Sequence, residues 1–209
     1  MPVSVEEQDA GEQAPPEKVE ETPVPFFGKC AVLVATGFGI GRIPFAPGTF
    51  GALLGIPLAL AVTSLHGHLW TQIAIVAALT LIAVPICDAA EQIFGVKDDD
   101  RIVADEFMLF PICFVGTNSL IAVEGREPAS VWEMLMGGGL DAKTAVVFIV
   151  FVFVISRICD ILKPAPAHQI QAVKGGLGVV LDDFFASLYT WILVWGLKDW
   201  AIPKIMSLL

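Results

Sequence analysis

The residues best suited to chemistry are carboxylates in pairs and cations in step. Arg157, Asp160 and Lys163 recur every three residues just before Pro164. On a helix that spacing puts all three on one face, a turn apart. Ahead of them runs the uncharged stretch Thr144–Ser156, so the charges sit at the end of an apolar helix. Asp105-Glu106 and Asp182-Asp183 stand in the same way at the edges of other apolar runs. Adjacent acids in a low-dielectric edge must either take up protons or be neutralised by a cation. Oxygen ligands without neighbouring Cys or His favour Mg²⁺ or Mn²⁺ over zinc, and Mg²⁺ leaves sites for water and a substrate phosphate. Arg157 offers a planar fork and Lys163 a point charge, both suited to phosphate. The bland alternative is that these charges sit at a membrane interface, with Lys and Arg snorkelling and Asp182-Asp183 complementing a helix N-terminus.

The elements that must position these residues are membrane helices. Hydrophobic residues make up 56% of the 209-residue chain and charged ones 16%, with a mean hydropathy of +0.75. Soluble domains are less apolar and more charged. The net charge of −10 is concentrated at the front, where the first 25 residues hold seven acids and one base, Lys18. This acidic, Pro-rich stretch reads as a disordered tail over residues 1–29 and not as a signal peptide, ahead of a membrane-embedded domain over 30–209. No basic face for nucleic acid is present. Cys30, Cys87, Cys113 and Cys159 form no CxxC pair and read as packing residues.

The expected fold is all-α, a multi-pass bundle of about five spans. Ile43–Cys87 lacks Asp, Glu, Lys and Arg and is too long for one crossing, so it divides at His66-Gly67-His68 into spans over about 48–65 and 69–87. Phe107–Val123, a 17-residue uncharged run, is the third expected span. Glu124–Asp141 reads as a polar connection, about 142–162 as the fourth span, and about 178–197 as the fifth. Five crossings bring Asp88, Glu91, Asp105, Glu106, Arg157, Asp160, Lys163, Asp182 and Asp183 to one face. That inference requires 107–123 to reach the other side. Eight Lys and Arg fall on the clustered side against four opposite, which makes the clustered side cytoplasmic. The segment Gly37–Gly51, rich in Gly and Pro, forbids one continuous helix and reads as a re-entrant or interfacial loop. Its amides, Arg42 and Thr49 are candidates for an anion site.

Four segments occur in the order and spacing of a known family. They are Gly37–Gly51 (GFGIGRIPFAPGTFG), Ile102–Phe107 (IVADEF), Arg157–Pro164 (RICDILKP) and Gly175–Asp183 (GGLGVVLDD). Together they resemble the phosphatidylglycerophosphatase A family over about residues 30–200. Small-residue positions depart from the pattern at Ala52, Leu109 and Ser187. The resemblance implies a bacterial, multi-pass, Mg²⁺-dependent enzyme of the inner membrane with its site on the cytoplasmic face. Its substrate would be phosphatidylglycerophosphate and its product phosphatidylglycerol. Carried over by position, Asp98, Asp105, Glu106, Arg157, Asp160, Lys163, Asp182 and Asp183 match the family's motifs, which do not assign the role of each acid. On the chemistry of the residues, Asp98, Asp105, Glu106, Asp182 and Asp183 become candidate metal ligands. Asp105, Glu106, Arg157, Asp160 and Lys163 become candidate catalytic residues. Arg42, Thr49, Arg157, Lys163 and Lys174 become candidate substrate contacts. The rival readings are a CDP-linked phosphatidyl transferase, whose Asp-Gly-x-x-Ala-Arg pattern is absent, and a non-enzymatic cation transporter, which would want its acids near the bilayer midplane.

Overall fold

A computed structural model describes residues 26–64, 69–117, 131–137, 139–163 and 175–208. All regular structure among them is helical. In chain order the helices are α1 (Phe26–Ala35), α2 (Pro47–Ser64), α3 (Leu69–Phe94), α4 (Ala104–Leu109), α5 (Val131–Gly137), α6 (Gly139–Leu162) and α7 (Gly176–Met206). Two 3₁₀ turns, Ile40–Arg42 and Phe110–Phe114, complete the set. The acidic tail to Pro25, the His66–His68 turn and Lys174 lie outside the described residues. Helix α1 starts at Phe26, inside the stretch expected to be tail.

Among the described residues four helices are long and apolar enough to cross a membrane: α2, α3, the Ala142–Leu162 part of α6, and α7. Helix α2 opens on Pro47, where a missing N–H costs nothing. Helix α3 runs on to Phe94, past Asp88 and Glu91, because both acids find partners at its end. Helix α7 begins after Gly175, which has a φ of 81°. The expected polar connection before α6 contains the short helix α5.

Among the described residues the third expected span, Phe107–Val123, forms no spanning helix as far as Thr117, and the long apolar helices number four where about five spans were expected. Helix α4 stops at Leu109, and Phe110–Phe114 tightens to 3₁₀ with Pro111 in its first turn. Pro111 has no N–H with which to continue an α-helical ladder. Six α residues and five 3₁₀ residues advance only about 19 Å, short of a bilayer core. The segment nevertheless travels from one end of the bundle to the other. At its start, the Val103 amide donates to the Ala35 carbonyl beside the charged helix ends (2.8 Å). At its finish, the Gly116 amide donates to Gln72 Oε1 near the start of α3 (2.9 Å), and Trp191 Nε1 donates to the Val115 carbonyl (2.9 Å). Irregular backbone at this depth is tolerable because protein surrounds it. Phe107 to Phe114 are all buried. Phe107–Phe114 thus forms a broken strut buried inside the bundle.

Small residues on α2 make room for that strut. A Cβ built on Gly55 would lie 2.5 Å from the Phe110 Cβ, and one on Gly51 would lie 2.8 Å from the Val103 Cβ. With Ala52 and Ala59 fully buried, α2 presents a face on which α4 packs at backbone distance. Two apolar cores follow. Ala35, Ala83, Cys87, Ala104 and Phe107 fill the one toward the charged end, and Leu60, Phe114, Met134, Phe148 and Val194 fill the other. The cysteines are free, with Cys87, Cys113 and Cys159 buried as expected. Cys30 departs from that expectation and is exposed on α1.

Candidate active site at the charged end of the bundle

Three separate stretches deliver the site. Helix α4 supplies Asp105 and Glu106 in its first turn, where carboxylates complement the helix dipole. Glu106 lies directly against the start of α2, since a Cβ on Gly48 would fall 2.0 Å from its Oε1. Only glycine at position 48 lets the carboxylate reach there.

The C-terminal end of α6 and the residue after it supply Arg157, Asp160 and Lys163. Arg157 Nη1 lies 3.4 Å from Asp160 Oδ2 and 3.6 Å from Glu106 Oε2, so one guanidinium bridges two helices. Lys163 ends the helix with φ 39°, a left-handed conformation costly for a residue with a Cβ, and its amide still donates to the Cys159 carbonyl (3.0 Å). That turn sends its ammonium to Asp182 Oδ2, to which Nζ donates a hydrogen bond.

Helix α7 supplies Asp182 and Asp183, both buried. Its start is set by contact with α3. The Gly176 amide donates to Asp88 Oδ1 (3.2 Å), and a Cβ on Gly176 would lie 2.3 Å from both the Asp88 nitrogen and the Val84 carbonyl oxygen. Asp88 thus fixes the end of α7 and is not itself in the cluster. Glu91, another acid expected on this face, accepts from the Asp98 amide (2.6 Å) and holds the loop after α3. In that loop the Arg101 guanidinium grips Asp99 and holds its carboxyl below the usual carboxylate range.

Glu106, Arg157, Asp160 and Asp183 line one small cavity with the hydroxyl residues Ser156, Ser187 and Thr190. It leaves ≈10 Å³ for the centre of a water-sized sphere, room for about one small occupant. Asp183 lies within electrostatic reach of Asp105, Asp160 and Glu106. Among the described residues, Asp105 Oδ1, Glu106 Oε2 and Arg157 Nε are buried without a hydrogen-bond partner. Buried carboxylate oxygens in that condition are costly unless something compensates them. A hard cation would do so. No three His, Cys, Asp or Glu groups among the described residues form a ready-made metal cage. The arrangement suits Mg²⁺, which takes one or two carboxylates and keeps water and phosphate as its other ligands.

Some expected site residues stand apart. Asp98 is exposed on the loop, at φ 52°, though within electrostatic reach of Asp105. Thr49 lies in the first turn of α2, one residue beyond the glycine that meets Glu106. Arg42 does not join the carboxylates and lines a separate groove with Lys29. Ser156, Ser187 and Thr190 were not expected at the site. A hint was their position on the helix faces that carry Asp160 and Asp183.

The sequence signature of the family described as "Phosphatidylglycerophosphatase A" matches residues 33–198. The chain belongs to the phosphatidylglycerophosphatase A family. It is 32% identical over 157 residues to Phosphatidylglycerophosphatase A of Escherichia coli, covering 75% of this chain and 76% of that one. It is 30% identical over 171 residues to Phosphatidylglycerophosphatase A of Haemophilus influenzae, covering 81% and 90%. It is 33% identical over 174 residues to a Putative phosphatidylinositol-3-phosphatase of Bacteroides thetaiotaomicron, covering 82% and 94%. No solved structure matches the chain. As a member of the phosphatidylglycerophosphatase A family, the protein is an enzyme, a lipid phosphatase of the membrane. That excludes the transporter reading; Asp105 and Glu106 lie in the first turn of α4 and Asp160 near the end of α6, while Asp182 and Asp183 lie beyond the first turn of α7.

Proposed function

We propose that this lipid phosphatase hydrolyses the terminal phosphomonoester of phosphatidylglycerophosphate to give phosphatidylglycerol and inorganic phosphate. It works with Mg²⁺ at the cytoplasmic face of the inner membrane. The observation that carries the reading is the meeting of buried acids from α4 and α7 with two cations from α6 at one end of the bundle.

Asp105 and Asp183 would hold Mg²⁺, with Glu106 beside them. When bound, the ion supplies charge neutralisation and polarisation of a phosphoryl oxygen. The chain's own groups do the rest. Arg157, already aimed between Glu106 and Asp160, orients the phosphate and stabilises charge on its non-bridging oxygens. Lys163 adds a second positive charge from beside Asp182. Asp160, at 19% the most exposed of the ion-paired acids at the site, against 15% for Glu106 and 7% for Asp182, accepts the proton of the attacking water. A new P–O bond forms from that water, the bond from phosphorus to the glycerol oxygen breaks, and the leaving alkoxide takes a proton. The ordered helix ends hold these groups in place before substrate arrives, which lowers reorganisation during the reaction.

The name of the Bacteroides relative favours a second headgroup, a phosphorylated inositol lipid. Both are anionic phosphomonoesters on a glycerolipid, and the same cations would recognise either. Phosphate release by the purified protein, with Mg²⁺, on phosphatidylglycerophosphate, phosphatidylinositol 3-phosphate and phosphatidic acid separates them. The highest kcat/KM is expected for phosphatidylglycerophosphate. Preference for the inositol lipid by tenfold or more would replace the substrate while keeping the chemistry.

A further inference from the structure

A second groove lies at the charged end, on the other side of α4 from the carboxylates. It has a volume of ≈540 Å³ and runs between α1, the Gly37–Arg42 turn and the last turn of α3. Its walls are Leu33, Phe38, Ile93 and Phe94, and its only charged lining residues are Lys29 and Arg42. Neither cation makes an ion pair among the described residues, whereas nearby Arg101 is committed to Asp99 and stacks over Phe94 at 4.0 Å. Two cations with no ion-pair partner among the described residues, set over an apolar trough, match an anionic head on a hydrocarbon tail.

The backbone supports the opening. Gly37, Phe38 and Gly39 all have positive φ, at 54°, 60° and 98°. Phe38 holds this conformation, unfavourable for a side chain with a Cβ, and leaves its ring 65% exposed at the rim. Phe27 and Phe45 are exposed at the same end, at 70% and 78%, where aromatic rings would meet the headgroup layer. The groove therefore opens where lipid is at hand.

We infer that this groove is a second lipid site, which seats an anionic glycerophospholipid with its phosphate between Lys29 and Arg42 and an acyl chain along Leu33, Phe38 and Ile93. It is separate from the hydrolytic centre. It would retain one anionic lipid through purification. A water-soluble phosphate has no use for the apolar walls, and a zwitterionic lipid gains less from the cations.

The test is native mass spectrometry of the full chain in detergent, titrated with dioleoylphosphatidylserine, dioleoylphosphatidylcholine or glycerol 3-phosphate. Phosphatidylserine carries no phosphomonoester to be cleaved. The wild type should bind one phosphatidylserine far more tightly than phosphatidylcholine. Lys29→Gln with Arg42→Gln should weaken it roughly thirtyfold, taking each basic residue as about fivefold. Leu33→Trp, which fills the trough at an exposed position and keeps both charges, should weaken it too, while Asp183→Asn should leave it intact. Thermal melting confirms that each variant is folded. Unchanged phosphatidylserine affinity in the double variant would overturn the proposal. So would equal affinity for phosphatidylcholine, or displacement by glycerol 3-phosphate as effective as by the lipid.

Discussion

Gly176→Ala, which removes no charged group, should disable the enzyme. The added Cβ would stand 2.3 Å from the Asp88 nitrogen and 2.3 Å from the Val84 carbonyl oxygen, both backbone atoms that cannot swing aside. Ordinary contact begins near 3.4 Å, so the start of α7 must retreat from α3 by about 1 Å. The retreat lengthens the bond from the Gly176 amide to Asp88 Oδ1, already 3.2 Å. Asp182 and Asp183 lie on the next turns of the same rigid helix and move with it. A misplacement of about 1 Å at reacting groups costs roughly a hundredfold in rate. The overpacking itself costs about 1–3 kcal/mol of stability. Gly196→Ala is the control, since a Cβ there meets nothing within 4 Å on the same helix. The assay is phosphate release from phosphatidylglycerophosphate, with thermal melting in parallel. Gly176→Ala should lose about two orders of magnitude in kcat and melt earlier, and Gly196→Ala should match the wild type. Wild-type turnover in Gly176→Ala would refute the claim that the contact between α3 and α7 sets the acids in place.

Other substitutions probe the site directly. Asp105→Asn and Asp183→Asn should each lower turnover by roughly a thousandfold while the protein still folds into membranes, as judged by purification and melting. Arg157→Lys keeps the charge but loses the fork between Glu106 and Asp160, so kcat should fall roughly a hundredfold with a smaller change in KM. Gly55→Ala should reduce folded yield, because its Cβ would press 2.5 Å from the Phe110 Cβ in the inner strut. Asp99→Asn should destabilise slightly at neutral pH. The folded carboxyl sits below its usual range, so its contribution is present above the ordinary carboxylate pKa and fades as pH falls through the folded value. Melting curves of the two proteins should therefore converge in acid.

Much of the arrangement was legible because charge is so scarce in this chain. Runs without Asp, Glu, Lys or Arg marked α2, α3, α6 and α7 to within a few residues at most ends, and the acids at their edges marked the charged end of the bundle. Pro164 marked the end of α6. What could not be read was what depends on backbone approach. Phe107–Val123 had a span's composition, yet Pro111 and the glycine face of α2 favour a short buried strut. Asp88 looked like one more acid of the cluster, and its role in fixing the start of α7 emerges only when Gly176 is seen against it. Arg42 had the charge for the phosphate site, but the positive-φ turn at Gly37–Gly39 sends it to the other groove.

The most direct measurement is Mn²⁺ binding by electron paramagnetic resonance, on purified protein in detergent with Mg²⁺ removed. Wild type should bind Mn²⁺ stoichiometrically, release it to excess Mg²⁺, and regain phosphate release on either ion, whereas Asp105→Asn and Asp183→Asn should bind it weakly or not at all. Full activity in chelator with no bound Mn²⁺, or unchanged Mn²⁺ affinity in both variants, would contradict a divalent ion held between α4 and α7.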